Sequence, residues 1–286
     1  MTFEIRRLSS ALGAEVLGVD LSQDLDEAIF AEIEAAWREH LVLLFRGQKL
    51  DHARHVAFSR RFGTLDDHGS IPNFRDEDFP EILLVENRLM NGRPQPVGRQ
   101  WHSDLSSTRR PARASLLRCE VLPPVGGDTM FANMYLAYET LSPAMQEIVG
   151  RLKGIHDMMA PKHNRGRAPD DLAEARRRNP PVAHPMVKVH PETGKKALYV
   201  NEMNTNGIVG LTEDEAKALL EFLFRHSVRP EFTYRHRWQQ HDLICWDNRC
   251  TMHLALDDYD IRVPRRMYRT TLLGEDTGEL AQTASA

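Results

Sequence analysis

The sequence predicts a mainly β protein with flanking helices, its strands closing a double-sheet barrel of jelly-roll type. Three observations point there: many short apolar or alternating runs bounded by turn residues, four stretches of helical periodicity set among them, and no internal repeat. The 286 residues are expected to form one domain, 1–286, with a core over about 3–275 and a frayed carboxyl-terminal tail, 276–286.

Residues 3–20 alternate apolar and polar side chains around Gly13 and Gly18, a pattern of short strands about a turn. From Asp26 to His40, Ile29, Phe30, Ile33, Ala36 and Trp37 recur at helical spacing. Leu41–Phe45 is a continuous apolar run ended by Arg46-Gly47, so it reads as a buried strand. A second helix is expected over 51–62 and a second buried strand over Ile82–Val85. Residues 86–100, polar and rich in Gly, Pro and Asn, read as a loop or lid. Ala114–Glu120 and Thr129–Phe131 read as strands about the turn at Pro123–Gly127. Helices are expected over 135–152 and 212–227, the latter opened by Thr212 and Glu215 as a capping box. The charged, proline-rich stretch 161–181 reads as a mobile surface insertion, and further strands are expected near 184–190, 196–201, 231–238, 242–247 and 265–273.

Composition excludes several functions. With 41% hydrophobic and 27% charged residues and a net charge of −4, no global field favours nucleic acid or an anionic membrane. No apolar run is long enough to span a bilayer, and the amino terminus lacks a signal-peptide core. Cys119, Cys245 and Cys250 form no CxxC pair and are expected as buried, reduced thiols. A cytoplasmic protein without nucleic-acid or membrane partners is the expectation.

The chemistry concentrates in a His-X-Asp triplet, His102-Ser103-Asp104, and a distant His253. On an extended segment, residues i and i+2 share a face, so His102 and Asp104 can grip one ion while Ser103 points away. Two imidazoles and one carboxylate on one face of a metal leave the opposite positions open, as non-haem Fe(II) oxygenases require. The triplet alone is weak, because thirteen histidines among 286 residues make about one chance match. His190-Pro191-Glu192 is such a match and reads as a hairpin tip. What strengthens the first triplet is Val263–Thr271, where Arg265, Met267 and Arg269 fall on one strand face and Arg266 on the other. Two guanidinium groups turned into a barrel need anions, and their forks match carboxylate or sulfonate oxygens. Trp37, Trp238 and Trp246 are expected in the core.

With these residues in place, the chain resembles the taurine dioxygenase / 2,4-dichlorophenoxyacetate dioxygenase family of Fe(II)- and 2-oxoglutarate-dependent oxygenases. The resemblance runs over roughly residues 3–275 and includes Leu43–Gln48, Phe58–Gly63, Trp101–Asp104, Pro124–Thr129, His184–Glu202 and Trp246–Arg249 leading to His253. It implies a double-stranded β-helix (jelly-roll, cupin-like) core, with iron held by His102, Asp104 and His253. It implies that Thr129 and Arg265 hold the distal carboxylate of 2-oxoglutarate, while Arg269 faces the substrate anion or the near carboxylate of the cosubstrate. His68 matches a substrate-pocket position. Met158 and Asn204 stand where the taurine enzymes carry aromatic residues that close over substrate, and Ile71 replaces a pocket tyrosine. Arg99–Trp101 and Tyr234–Trp238 look more like the aryloxyacetate subgroup.

The resemblance therefore implies a dioxygenase that uses Fe(II), 2-oxoglutarate and O2 to hydroxylate a small organic anion: an aryloxyalkanoate, a sulfonate or a related carboxylate. Cleavage of the adjacent C–O, C–S or C–N bond and release of succinate and CO2 would follow. Relatives suggest a homodimer or homotetramer. The alternatives are a zinc-dependent hydrolase using the same His/Asp/His site, which gives Thr129 and the arginines no role, and a metal-free barrel that binds an organic anion.

Overall fold

The computed structural model describes residues 3–69, 74–90, 93–95, 98–158, 174 and 176–281. Its first elements are β1 (Glu4–Arg7), β2 (Ala14–Leu17), α1 (Glu27–His40), β3 (Val42–Phe45), α2 (His52–Arg60), β4 (Leu83–Glu86), β5 (Arg88–Met90) and β6 (Arg93–Gln95). There follow β7 (Ala112–Val121), β8 (Thr129–Asn133), α3 (Met134–Glu139), α4 (Pro143–Gly150), β9 (Lys153–His156), β10 (Val182–Pro185), β11 (Val187–Val189) and β12 (Lys196–Leu198). The last are β13 (Thr205–Ile208), α5 (Glu213–Ser227), β14 (Thr233–His236), β15 (Leu243–Asp247), β16 (Thr251–Ala255), β17 (Arg266–Leu273) and β18 (Glu279–Leu280).

Burial on both faces explains the unbroken apolar runs. The large sheet has seven strands in the order β1-β2-β3-β15-β7-β17-β4, and a smaller one runs β14-β8-β16. Alternate residues of the large sheet divide between two cores. Leu43, Phe45, Leu116, Leu243 and Leu272 pack outward against Phe30, Ile33 and Trp37 of α1 and Phe58 of α2. Val42, Leu44, Leu117, Ile244, Trp246 and Met267 point inward, where they meet Phe131 of β8 and Met252 of β16. The barrel predicted from sequence is thus two packed sheets with helices laid on the outside. None of the helices is long and apolar enough to cross a membrane, among the described residues.

Several expectations need correcting. The helix expected over 135–152 is two, because Ser142 caps a new helix with Pro143 at its first turn. Residues expected as a loop at 86–100 include the hairpin β5–β6. The tail is not frayed from 276: the backbone N–H groups of Thr277 and Gly278 donate to the Arg109 carbonyl, and β18 pairs with β10. Most of the insertion read at 161–181, and Ile71, lie outside the described residues. The capping box of α5 is present, with Thr212 Oγ1 accepting from the Glu215 N–H at 3.4 Å and the Glu215 carboxylate accepting from the Thr212 N–H at 2.9 Å.

Candidate metal centre and anion cavity

Pairing between distant segments builds the centre. His102 and His253 form an isolated antiparallel bridge, each backbone N–H donating to the other's carbonyl at 3.1 and 2.8 Å. Directly opposed residues on paired strands carry their side chains on one face, so the two imidazoles meet with ring centroids 4.1 Å apart. His253 lies in the middle of β16. Asp104 is not on a strand; it opens the turn after the bridge, while Ser103 turns away to donate to the Thr251 carbonyl at 2.7 Å. One Asp104 carboxylate oxygen is 4.0 Å from His102 Nε2 and the other 3.9 Å from His253 Nε2. Ligand atoms of all three side chains lie within 4.8 Å of one another.

The donor chemistry fits one divalent cation. His102 Nδ1 lies 2.8 Å from the Gln100 carbonyl, an arrangement that protonates Nδ1 and leaves the Nε2 lone pair for a metal. Burial holds both imidazoles below their ordinary range, and mutual proximity pushes His253 further, so both are neutral ligands at pH 7. Burial would raise the Asp104 carboxyl, but Arg269, His253 and His102 together keep it below the usual carboxylate range. Two neutral imidazoles and a carboxylate anion are the set that suits iron.

A network unread from the sequence fixes that carboxylate. Ser115 Oγ donates to Asp104 at 2.6 Å and accepts from the Asn248 amide at 3.0 Å. Asn248 Oδ1 in turn accepts from the Asp104 backbone N–H at 3.1 Å and from the Trp246 indole at 3.0 Å. Asn248 belongs to the Trp-Asp-Asn-Arg motif, which was the one signal for it.

Beside the histidines lies a cavity of about 230 Å³ lined by Leu83, Val85, Leu117, Thr129, Trp246, Arg265 and Arg269 as well as His102 and His253. Register explains why Thr129 is there: Thr129 opposes Ala255 and Phe131 opposes His253 across β8 and β16, so the period of two turns Thr129 and His253 to the same side. Arg269 reaches in from β17, opposite Leu117 of β7, and donates from Nη1 to Asp104 at 2.6 Å. Arg265 is 6% exposed, and its Nε donates to the Gly127 carbonyl at 3.1 Å. Among the described residues it has no acidic partner. Gly127 has φ +75°, and a Cβ there would stand 3.1 Å from Arg265 Nε, so glycine is required for the approach. Asn87 pins the backbone before β17 by accepting from the Arg265 N–H at 2.7 Å. Arg266 points away, half exposed, to Glu86 at 3.1 Å.

A family model described as "Taurine catabolism dioxygenase TauD, TfdA family" matches residues 4–271. The chain belongs to this family. It is 35% identical over 281 residues to an alpha-ketoglutarate-dependent 2,4-dichlorophenoxyacetate dioxygenase from Cupriavidus pinatubonensis, covering 94% of this chain and 96% of that protein. An alkylsulfatase from Acinetobacter baylyi is 34% identical, with 96% and 86% covered. Among solved structures, that of AAD-2 in complex with Mn(II) and N-oxalylglycine superposes with a TM-score of 0.83 at 32% identity, covering 99% of this chain and 100% of the other. Like other TauD/TfdA members, this chain is an alpha-ketoglutarate-dependent dioxygenase with a jelly-roll core, and no relative supports the zinc hydrolase.

The remaining predicted residues divide. His68 is 2% exposed with φ +53°, its N–H held by Asp66 at 3.2 Å and its Nε2 buried without a partner among the described residues. Burial and then the Arg269 charge hold its imidazole below the ordinary range, and it is not among the residues that line the cavity. Asn204 does not line the cavity, because its amide donates to Ser106 Oγ at 3.0 Å. Met158 is 41% exposed and also lies off the lining. All three tryptophans are core, as expected, and two of them serve the site as well. Trp246 lines the cavity, and the Trp238 indole donates to Thr129 Oγ1 at 3.0 Å. An indole N–H only donates, so the Thr129 hydroxyl must accept there and keeps its own hydrogen for a cavity anion. Trp238→Phe should therefore raise the KM for 2-oxoglutarate about fivefold, the worth of roughly 1 kcal/mol of hydrogen bonding, with kcat preserved. Initial rates at varied 2-oxoglutarate check this; an unchanged KM contradicts the role given to Thr129.

Proposed function

We propose that this dioxygenase hydroxylates a small organic anion at a carbon bonded to an ether or sulfate-ester oxygen, or to a sulfonate sulfur. The hydroxylated product then loses its C–O or C–S bond, and 2-oxoglutarate leaves as succinate and CO2. The observation that carries the reading is Arg265, a buried cation without an acidic partner among the described residues, in one cavity with Thr129 and the two histidines. Burying a guanidinium without an anion is costly, so the cavity is built to receive a carboxylate.

His102, Asp104 and His253 would hold ferrous iron. When bound, the iron supplies dioxygen activation coupled to oxidative decarboxylation of the 2-oxo acid. Everything else is positioning. Arg265 and the free Thr129 hydrogen would seat the far carboxylate of 2-oxoglutarate, with Trp238 and Gly127 keeping both donors in place. Arg269, with His68 beside it, would seat the substrate's anionic end. Leu83, Val85, Leu117 and Trp246 keep water from the space between the two anions. Asn204 would act at one remove by supporting Ser106 in the turn that follows Asp104, and Met158, off the cavity lining, would meet only the outer end of a longer substrate.

The substrate class is tested by succinate release with Fe(II) and 2-oxoglutarate over phenoxyacetate, a short alkyl sulfate, an alkyl sulfonate and the neutral analogue phenoxyethanol. Stimulation by at least one anion and none by phenoxyethanol is expected. Arg269→Gln should raise the KM for that anion at least about tenfold, the loss of a charge-assisted contact. Equal stimulation by phenoxyethanol, or an anion KM untouched in Arg269→Gln, overturns the assignment.

A further inference from the structure

We propose that a second anion site, for a small organic carboxylate, lies between Lys188 and Arg110 in a cavity separate from the metal centre. That cavity measures about 370 Å³, larger than the one beside the histidines, and shares no lining residue with it. It forms where the carboxyl end of β17, the start of β7 and the β11–β12 hairpin meet.

Two cations of this cavity, Arg110 and Lys188, have no carboxylate within ion-pair distance among the described residues. Four cations line it, Arg110, Arg113, Lys188 and Arg249, against two acids, Glu192 and Glu275. Two of the cations are occupied: Arg113 pairs with Glu192 at 2.9 Å and Glu34 at 3.4 Å, and Arg249 pairs with Asp247 at 2.6 Å and Glu192 at 2.9 Å. Glu192 is thereby shared between two arginines. Among the described residues Arg110 donates only from Nε, to the Gly274 carbonyl at 2.7 Å, and the terminal nitrogens of its fork have no partner there. Lys188 Nζ has the Thr277 hydroxyl at 3.2 Å and the face of Tyr199 at 3.7 Å, and no carboxylate within ion-pair distance among the described residues. Desolvation brings the Lys188 ammonium down to about 7, and Glu275 only partly restores it.

An ammonium and a guanidinium fork that line one hollow can together recognise an oxyanion. The remaining lining selects an organic body for it: the Tyr199 ring, Ala112, Val189, Pro191 and Leu273 give the anion an apolar bed. The site also has a route to the metal centre. The Arg113 carbonyl accepts from the Asn248 N–H at 3.0 Å, and Asn248 Oδ1 accepts from the Asp104 N–H at 3.1 Å. An occupant in this cavity would therefore bear on the strand end that holds Asp104.

Benzoate is the probe, titrated calorimetrically into the metal-loaded enzyme at pH 8 with saturating 2-oxoglutarate under anaerobic conditions. A site that persists in Arg269→Gln is expected, whether or not the wild type also binds benzoate at Arg269; that site should be at least about tenfold weaker in Lys188→Met and Arg110→Gln, and within about threefold of wild type in Lys188→Arg. Repeating the titration in buffers of different ionisation enthalpy should show uptake of up to one proton, as the lysine charges to meet the anion. Thermal melts of each variant verify folding. No heat in the wild type, binding lost in Arg269→Gln but kept in Lys188→Met, or equal loss in Lys188→Met and Lys188→Arg each overturns the proposal.

Discussion

Asp104→Ala should abolish substrate-dependent succinate formation. Among the described residues the carboxylate is the one anion within reach of both histidine Nε2 atoms, so its removal takes a charged ligand from the proposed centre. Alanine has a second effect that could be mistaken for the first. Asp104 also accepts from Arg269 and Ser115, and deleting a buried partner leaves a cation uncompensated at a cost of about 3–5 kcal/mol. Arg269 keeps some solvent access, its side chain being 17% exposed, so the lower end of that range applies. Asp104→Asn separates the two effects. Its amide oxygen can still accept from Arg269 or from Ser115, so it should melt closer to wild type than Asp104→Ala does, while the lost negative charge still removes the metal. Succinate assays on both variants, read beside thermal melts and iron content, decide the matter. Turnover retained by a folded Asp104→Asn would remove Asp104 from the centre.

How much of this was readable depends on which interactions are local. Runs buried on both sides, such as Val42–Phe45, declare themselves because every residue is apolar, whichever face it takes. The His-X-Asp spacing and the arginines at 265 and 269 were readable because period-two geometry ties spacing to face. Strands set by their partners were not readable. Lys153–His156 and Thr205–Ile208 carry no clear alternation and exist because β9 lies between β10 and β13. Trp238 and Trp246 were assigned to the core on size, and both are buried. Their second role rests on where one indole N–H points, which only the tertiary structure fixes. Ser115 was hidden for the same reason. A serine in an apolar strand carries no sign that it will meet a carboxylate presented by a turn eleven residues earlier.

Arg265→Gln should raise the KM for 2-oxoglutarate about thirtyfold or more while leaving kcat at saturation within a few-fold. The reasoning is an energy comparison. A guanidinium fork on a carboxylate makes two charge-assisted bonds worth about 1.5–3 kcal/mol each, and glutamine returns at most one neutral bond of roughly 1 kcal/mol. The net loss of about 2–5 kcal/mol falls on binding, because the far carboxylate does not take part in bond breaking. A second readout carries the opposite sign. In the free protein Arg265 is buried without an acidic partner, and burial pulls its ionisation below the ordinary arginine range, so its charge is a liability until a ligand arrives. Glutamine removes that liability, and the free variant should melt above the wild type. Adding 2-oxoglutarate should then raise the melting temperature of the wild type by linkage but leave the variant nearly unmoved. If Arg265 were only a structural side chain, its replacement would lower stability and spare the cosubstrate KM, so the two signs together distinguish a carboxylate seat from a packing residue.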